Sequence, residues 1–352
     1  MMTMKTMILS TAVSVAIRRT ELKTDLPEDA RLLPNHCLLC PRACGANRQA
    51  GQRGVCGADD TLRIARAALH TWEEPPISVG AGSGAVFFSN CPLRCIYCQN
   101  AEIACGEQGI AIPLSRLVDI FFELKKQGAA NINLVTPTHY LPLVREAIVR
   151  ANERGLHLPI ICNTSGYETI SSVRDMADWV DVFLTDFKYW RARESDASTR
   201  YSNAPDYFDV TSSALVAMVD AIGTPIYDEM CASSSSTAIL EGENRLIKGV
   251  VVRHLILPGR LDDSKHVIEW IWNTFGNDVL YSVMNQYTPM RAFPEATELN
   301  ERVSDEEYDR LLDYMDSLGI DDYFWQEGGA AQESFIPAFD STGVLSSDVS
   351  AE

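Results

Sequence analysis

The amino-acid sequence predicts an α/β protein in which parallel strands alternate with helices. The first observation is a series of six short apolar runs between residues 85 and 284, each of strand length. The second is that amphipathic stretches with helical spacing lie between several of these runs, as the crossovers of parallel strands require. Two architectures satisfy the pattern, a doubly wound open sheet and an incomplete barrel. In both, the functional edge is the one where the strands run into the loops that follow them.

The six strands are expected from their apolar and β-branched composition. They are predicted at 85–89, 131–135, 158–162, 180–185, 250–257 and 279–284. The first helix is expected over 115–127, because apolar residues recur at helical spacing from Leu117 to Leu124 and Gly128 then ends the pattern. Two more helices with the same signature are expected over 143–153 and 264–275.

Both ends of the chain differ in composition from its middle. Residues 1–30 form an N-terminal extension, residues 31–66 a four-cysteine module, and residues 67–290 the strand-bearing core. Residues 291–352 form an acidic helical extension, in which Ser304 and Glu307 make a capping box ahead of a helical pattern. The apolar stretch 7–17 is followed by two arginines, which is not the pattern of a secretory cleavage site.

Charge and cysteine content restrict the class of protein. The chain has 48 acidic and 30 basic residues, and its net charge of −18 is concentrated in 291–352, where 16 Asp and Glu accompany three Arg. Nucleic acid requires clustered Lys and Arg, so no nucleic-acid partner is expected. No apolar run reaches the length of a membrane span, so no membrane partner is expected. Ten cysteines, several closely spaced, are typical of metal ligands in a reducing compartment, which predicts a cytoplasmic location.

Three cysteines follow the first predicted strand in the sequence Cys91-Pro-Leu-Arg-Cys95-Ile-Tyr-Cys98. Because the loop is short, their thiolates can converge on one metal centre at the functional edge. A [4Fe-4S] cluster has four irons and in electron-transfer proteins usually has four cysteine ligands. Three ligands would leave one iron open to a substrate or cofactor. A zinc site with a distant fourth ligand, and cysteines that only pack, are the alternatives.

This spacing, with Tyr97 before the last cysteine, resembles the cluster-binding motif of the radical S-adenosylmethionine (radical SAM) superfamily. The segments HTWEEPPISVGAGSGAVFFSNCPLRCIYCQN, NINLVTPTHY, TDFKYW, YSNAPDYFD and VVRHLILPG together resemble an uncharacterised branch related to the pyruvate formate-lyase activating enzyme, over roughly residues 35–340. The resemblance implies a partial (β/α)6 TIM-like barrel, the radical SAM core. It also implies reductive cleavage of S-adenosylmethionine (SAM) to a 5′-deoxyadenosyl radical, which abstracts a hydrogen from an unidentified substrate, with a glycyl-radical protein as one candidate.

The resemblance assigns site residues by position. Cys91, Cys95 and Cys98 would hold the [4Fe-4S] cluster, whose open iron binds SAM. The residues implied to contact SAM are Tyr97, Thr136, Thr138, His139, Asn163, Thr164, Asp186, Lys188, Arg253 and Leu255. Among these, Asp186 would help to hold a monovalent cation and Lys188 would reach the SAM carboxylate. At 136–139 the chain departs from the Gly-Gly-Glu sequence that often holds the SAM amino group in the superfamily.

A second cysteine set lies in the N-terminal module. Cys37, Cys40, Cys44 and Cys56 place four thiols within twenty residues. Four cysteines suit either a tetrahedral zinc ion or a closed second [4Fe-4S] cluster. A zinc ion would fasten the segment to the core, whereas a cluster would relay electrons or lie near the substrate.

The favoured interpretation is an oxidoreductase-type radical SAM enzyme. It implies a low-potential electron donor of the flavodoxin or ferredoxin type and a protein, peptide or small molecule as substrate. The alternative is a non-catalytic iron–sulfur or zinc-binding module, or an electron-transfer module. Formation of 5′-deoxyadenosine separates these possibilities.

Overall fold

The computed structural model describes residues 29–229, 244–326 and 337–346. Its strands are β1 (Arg63–His70), β2 (Ser83–Phe88), β3 (Ile110–Ala111), β4 (Ile132–Val135), β5 (Ile160–Thr164), β6 (Val182–Asp186), β7 (Ile226–Glu229), β8 (Asn244–Leu255), β9 (Leu280–Met284) and β10 (Tyr323–Phe324). Its helices are α1 (Ala101–Ala104), α2 (Leu114–Lys126), α3 (Leu141–Glu153), α4 (Ile170–Ala177), α5 (Ala197–Ser202), α6 (Tyr207–Ile222), α7 (Leu261–Phe275) and α8 (Asp305–Ser317).

The strands form a mixed sheet with a parallel centre. Strands β2, β4, β5, β6, β8, β9 and β10 pair in parallel in that spatial order. Strand β1 pairs antiparallel with β2 and carries β3 at the outer edge, while β7 pairs antiparallel with β8. The predicted α/β class is therefore confirmed, and β2, β4, β5, β6, β8 and β9 correspond to the six predicted strands. Among the described strands the sheet is open. Its two edge strands, β3 and β10, do not pair with each other to close a barrel.

Apolar faces of the helices cover the sheet. Helix α2 buries Leu117, Ile120, Phe121 and Leu124, the stripe that predicted it. Helix α3 buries its own stripe beside α2, and both pack in one apolar cluster with β2 and β4. Helices α6, α7 and α8 contribute to a larger cluster on the other part of the sheet. Burial of these stripes, at about 25 cal/mol per Å² of apolar surface, holds the helices on the sheet.

Two long elements were not expected from the sequence. Strand β1 crosses residue 66, where the four-cysteine module was predicted to end. It contains Arg63 and Arg66, and its buried positions alternate irregularly, so its sequence shows no clear strand period. Helix α6 contains a run of Thr and Ser at 211–213, residues that favour other backbone conformations. It is helical because packing buries Tyr207, Leu215 and Met218 in the core. Tertiary contacts thus override a weak local preference.

The acidic extension contains the expected helix and a further extended segment. In α8 the Ser304 side chain accepts a hydrogen bond from the Glu307 amide at 3.1 Å, as the capping box predicted. Residues 337–346 run along β1, where the Ala67 amide donates to the Thr342 carbonyl at 2.9 Å. Val344 is fully buried there, so this part of the extension belongs to the core.

Several sequence features lie outside the described residues, namely the apolar stretch 7–17 and Cys231. Among the helices of the described ranges, none combines the length and the apolar character that a membrane crossing requires.

His254 on β8 is expected to make the stability of this fold sensitive to pH. Its Nδ1 donates to the Phe187 carbonyl at 2.7 Å, and its Nε2 lies 2.8 Å from the Ser264 hydroxyl on α7. Burial lowers the pKa of His254 to about 4. The unfolded chain takes up this proton near pH 6.5, so the stability contributed by neutral His254 is present above that pH. It is lost as the pH falls towards 4, by up to about 3 kcal/mol.

Replacing His254 with glutamine should flatten the fall in the free energy of unfolding between pH 6.5 and 4, measured by urea denaturation. His157, which is exposed, provides the matched control, and His157→Gln should leave the slope unchanged. Equal slopes for His254→Gln and the unsubstituted chain would contradict this explanation.

Candidate functional site

A cavity of about 530 Å³ opens at the carboxyl edge of the parallel strands, the edge that the sequence predicts to be functional. Residues that end or follow β2, β4, β5, β6, β8 and β9 line it, together with residues 70–75 after β1 and Phe324–Gln326 near β10. In a parallel sheet the carboxyl ends of neighbouring strands meet at one edge, so side chains distant in sequence converge there.

The three-cysteine loop leaves β2 and enters this cavity. Asn90, at φ 78°, turns the chain out of the strand, and its amide donates to the Ile103 carbonyl at 2.6 Å. The Ile96 amide donates to the Tyr201 carbonyl at 2.8 Å, which holds the middle of the loop. As a result, Cys91, Cys95 and Cys98 are all half-buried and all line the cavity.

Burial and the neighbouring thiols raise the pKa values of two cysteines in this loop. Burial, followed by the neighbouring Cys95 thiol, raises the pKa of Cys91 to about 11. Burial and the other two thiols raise the pKa of Cys98 well above its ordinary value, and Lys188 opposes both shifts. Three thiolates so placed repel one another. A metal centre bound by these cysteines would supply the positive charge that keeps all three ionised.

A chain of hydroxyl groups ends on one of the sulfurs, and the sequence did not reveal it. The Tyr97 and Tyr189 hydroxyls lie 2.9 Å apart, and Tyr189 lies 2.6 Å from the Ser202 hydroxyl. Ser202 then donates to the Cys95 sulfur at 2.9 Å. Ser202 ends α5, more than one hundred residues from Cys95 in sequence, so only the folded chain brings the two together. Hydrogen bonds to a ligand sulfur tune the potential of an iron–sulfur cluster.

Most residues implied to contact SAM line the cavity. The cavity walls include Tyr97, Thr136, Asn163, Thr164, Asp186, Lys188, Arg253 and Leu255. Thr136 has a φ of 58°, and its amide donates to the Asn163 carbonyl at 2.8 Å, so the ends of β4 and β5 are joined at the cavity wall.

Thr138 and His139 are buried outside the residues that line the cavity. Thr138 donates to the Glu168 carboxylate at 2.7 Å, and His139 Nε2 donates to the Ser89 carbonyl at 2.7 Å. Burial lowers the pKa of His139 to about 3, so the ring is neutral. Both residues lie in a short 3-10 turn after β4 that directs them behind the strand ends rather than into the cavity. The fully buried strand β4 gives no sequence signal for this turn.

Lys188 and Asp186 form an ion pair on the cavity wall. Burial alone would lower the pKa of Lys188, but the Asp186 carboxylate outweighs it and the pKa lies well above its usual value. Lys188 is therefore a protonated ammonium. The position expected to help hold a monovalent cation is thus occupied by the Lys188 cation in this structure.

Arg253 does not offer a free guanidinium to the cavity, because two consecutive glutamates hold it. It is ion-paired with Glu73 and also with Glu74, at 2.6 Å for the latter. Asn133 donates to Glu73 at 2.8 Å. Burial raises the pKa of Glu74, but the Arg253 charge outweighs it and the net shift is downward. The adjacent residues Glu73 and Glu74, in a largely apolar stretch of sequence, could have indicated this ion pair, but they were not among the predicted site residues.

The nine cysteines of the described residues are free of disulfides. Cys162 is fully buried and its thiol contacts the Met176 sulfur at 3.5 Å, whereas Cys105 is exposed. Cys37, Cys40 and Cys56 are buried in the N-terminal module. In the described parts of the chain, no three His, Cys, Asp or Glu side chains are gathered in a geometry that could hold a single metal ion.

Comparison with known proteins gives limited similarity. No protein-family model matches the chain. An uncharacterised protein of Methanocaldococcus jannaschii, MJ0674, is 25% identical over 309 residues, covering 84% of this chain and 78% of that protein. Structures of Streptococcus suis SuiB bound to the precursor peptide SuiA and to S-adenosylmethionine align at 13% identity, with TM-scores of 0.44 and 0.43. They cover 68% of this chain but only 47% and 49% of SuiB, so this chain spans about half the length of the solved structures it matches.

Proposed function

We propose that this chain is a radical SAM enzyme that binds a [4Fe-4S] cluster through Cys91, Cys95 and Cys98. One observation carries the proposal. The three cysteines, the Lys188–Asp186 ion pair and the ends of five further parallel strands line a single cavity. This combines a cluster-binding loop with polar groups suited to a charged cofactor.

The donor set suits a cluster better than a single ion. A cube presents a different iron to each cysteine, so its ligands lie farther apart than those around one ion. No fourth cysteine is among the described residues that line the cavity, which would leave one iron available to SAM. The Ser202 hydroxyl, directed at Cys95, supplies the kind of donor that a metal-bound thiolate accepts.

The bound, reduced cluster would supply one electron to split SAM into methionine and a 5′-deoxyadenosyl radical that takes a hydrogen atom from the substrate. The chain itself binds and orients. Lys188, kept protonated by Asp186, provides a cation for the SAM carboxylate. Tyr97 is buried with its ring edge-to-face against Tyr189, Tyr201 and Tyr287, which gives the cavity a rigid aromatic wall beside the cysteines.

The surroundings of the cavity bear on the class of substrate. A second cavity of about 440 Å³ shares Tyr97, Cys98, Gln99 and Pro337 with the first, so the two cavities adjoin. Trp72 and Trp325 are 61% and 53% exposed where they line the first cavity. Large exposed aromatic residues are typical of contacts with other chains. These features support a peptide or protein substrate. A glycyl-radical protein is the candidate suggested by the resemblance to activating enzymes, and the electron would come from a flavodoxin- or ferredoxin-type donor.

The direct test is anaerobic reconstitution with iron and sulfide, reduction with dithionite and addition of SAM. We expect about four irons bound at the three-cysteine loop, a change in the electron paramagnetic resonance (EPR) spectrum when SAM binds, and the release of 5′-deoxyadenosine and methionine. A reducible cluster that neither responds to SAM nor yields 5′-deoxyadenosine would instead identify a non-catalytic electron-transfer module.

Lys188→Met should weaken SAM binding. The substitution removes the ammonium and leaves the Asp186 carboxylate near the SAM carboxylate. Loss of a hydrogen bond to a charged group costs about 1.5–3 kcal/mol, so the dissociation constant should rise roughly 10- to 100-fold. Equilibrium dialysis on the reconstituted protein measures this value.

Lys248→Met is the matched control, because Lys248 is exposed on β8 away from the residues that line the cavity. Lys188→Arg keeps the charge and should retain part of the affinity. Unchanged affinity in Lys188→Met would place the SAM carboxylate elsewhere in the cavity.

A further inference from the structure

The N-terminal module is ordered by its turns more than by an apolar core. Between residues 37 and 58 the Cys37 amide donates to the Ala46 carbonyl, and the Gly45 amide donates back to the Cys37 carbonyl, both at 3.0 Å. A second turn joins the Gly54 amide to the Ala58 carbonyl at 3.0 Å. These turns place the four cysteines, and Cys37, Cys40 and Cys56 are buried.

The four sulfurs share one hydrogen-bond pattern. Each accepts a backbone N–H from the residue two positions later, in the pairs Cys37 with Leu39, Cys40 with Arg42, Cys44 with Ala46 and Cys56 with Ala58. Cys44 also accepts from Val55. A thiol is a weak acceptor, whereas a thiolate accepts such bonds strongly. The same turn at four separate cysteines therefore supplies each sulfur with an N–H donor of the kind that a metal-bound thiolate accepts.

The sulfurs are also neighbours in space. The Cys37 and Cys44 side chains are within hydrogen-bonding reach of each other. A Cβ added at Gly54 would lie 3.3 Å from the Cys44 sulfur and 3.4 Å from the Cys56 sulfur, so the glycine leaves room between them. Cys40 interacts electrostatically with both Cys37 and Cys56. The thiols surround one space, although they are not gathered at the spacing of bound-ion ligands.

A buried cation without a full set of partners lies beside this space. Arg48 is 0% exposed, and its charge acts on Cys37 and Cys56. Its Nε donates to the Asp59 carbonyl and its Nη1 to the His139 carbonyl, but its Nη2 has no hydrogen-bond partner in the structure. Burying a guanidinium is costly unless an anion compensates it. Four thiolates around a divalent metal ion carry a net charge of about −2, which would provide that anion.

Two arginines connect the module to the three-cysteine loop, and we call this connection the arginine clasp. Arg42, between Cys40 and Cys44, donates to the Pro92 carbonyl at 3.0 Å and to the Ser202 carbonyl at 2.8 Å. In the opposite direction, Arg94, between Cys91 and Cys95, donates to the Cys56 carbonyl at 2.7 Å. Each cysteine loop thus contributes an arginine that binds the backbone of the other.

We propose that Cys37, Cys40, Cys44 and Cys56 bind a second metal centre through four thiolates, either a zinc ion or an iron–sulfur cube, and that this centre positions the Cys91–Cys98 loop through the arginine clasp. The first part stands independently of the proposed function, whereas the second part rests on it. Arg42 and Arg94 are positioning residues in this proposal, since neither is placed as a ligand.

The variant Cys91→Ala/Cys95→Ala/Cys98→Ala tests the first part, because it leaves the N-terminal module intact. After anaerobic reconstitution with zinc and iron together, we expect one zinc ion or about four irons per folded chain by elemental analysis and native mass spectrometry. Zinc alone identifies a single ion, and iron with sulfide identifies a cube. If zinc is found, cobalt in its place should give the visible absorption of tetrahedral thiolate coordination. A folded variant that binds neither metal overturns the proposal, whatever the outcome for SAM cleavage.

Arg42→Met tests the second part. We expect the second centre to be retained, and the EPR response of the first cluster to SAM to weaken, with the SAM dissociation constant rising roughly 10- to 100-fold as for other residues that orient metal ligands. Arg42→Lys should restore part of this response. Arg53→Met, an exposed arginine of the same module, is the matched control. A normal SAM response in Arg42→Met overturns the positioning role while leaving the metal assignment intact.

Discussion

Replacing Cys98 with alanine is expected to abolish formation of 5′-deoxyadenosine. Cys98 lines the cavity, and its amide closes the turn of the loop by donating to the Cys95 carbonyl at 3.1 Å. With two thiolates left, a cluster would expose two irons and lose the ligand set that holds it in the protein. Iron bound at this loop, the change in the EPR spectrum when SAM is added and the yield of 5′-deoxyadenosine should all fall to background.

Cys105→Ser supplies the control for this experiment. Cys105 is a free, exposed cysteine that lies after α1 and does not line the cavity. It should leave all three measurements unchanged, which separates loss of a ligand from general damage by thiol removal. Undiminished SAM cleavage in Cys98→Ala would remove the three-cysteine loop from its proposed role.

Replacing Arg253 with methionine should cause a large loss of stability. The guanidinium is ion-paired with Glu73 and Glu74, and the side chains of all three residues are at most 13% exposed. Removing the cation leaves two buried carboxylates without compensation, and breaking a buried pair in this way costs about 3–5 kcal/mol. The free energy of unfolding from urea denaturation at pH 7 measures the effect.

Two further variants determine whether the loss comes from unpaired charge. Adding Glu73→Gln and Glu74→Gln to Arg253→Met should recover part of the stability, because neutral amides cost less to bury than carboxylates. Arg154→Met, which removes an exposed ion pair with Asp119, should cost about 0–1 kcal/mol. A loss in Arg253→Met no larger than in Arg154→Met would show that solvent already screens the Glu73–Glu74 pair.

The pH dependence of this network has a definite sign. Glu74 has a pKa lowered below its ordinary value because the Arg253 charge outweighs burial. Its contribution to stability is therefore present above the ordinary pKa of a glutamate and is lost as the pH falls through the lowered value. The advantage of the unsubstituted chain over the Arg253 variant should shrink in the same acidic range.

Local patterns were sufficient to predict the repeating part of the fold. Strands β2, β4, β5, β6, β8 and β9 and helices α2, α3, α7 and α8 carry apolar residues at the period of their own element, which sequence displays directly. Helix α6 and strand β1 lack such a clear period. Their conformation instead depends on tertiary contacts, namely the packing that buries Tyr207 of α6 and the pairing of β1 with β2. Strand pairing across the sheet could not be read from any one segment.

The residues of the candidate site likewise fall into two groups, those that the sequence nominated and those whose role depends on contacts in the folded chain. The spacing of Cys91, Cys95 and Cys98 and the position of Lys188 after β6 are properties of short segments, so the sequence was enough to nominate them. The turn that carries Thr138 and His139 behind the strand ends depends on contacts with Ser89 and Glu168. The hydroxyl chain to Cys95 depends on Ser202, and the partners of Arg253 are Glu73 and Glu74, about 180 residues away.

The sequence by itself determined the order of the six predicted strands and of helices α2, α3, α7 and α8, and the identity of the thiols at the end of β2, because these features are encoded in residue types at short spacing. Only the tertiary structure decided that the sheet pairs as an open one, that two glutamates neutralise Arg253, and that Arg42 and Arg94 join the two cysteine loops. The physical reason is that ion pairs and hydrogen bonds form between groups close in space, and folding alone brings distant parts of the chain within their reach.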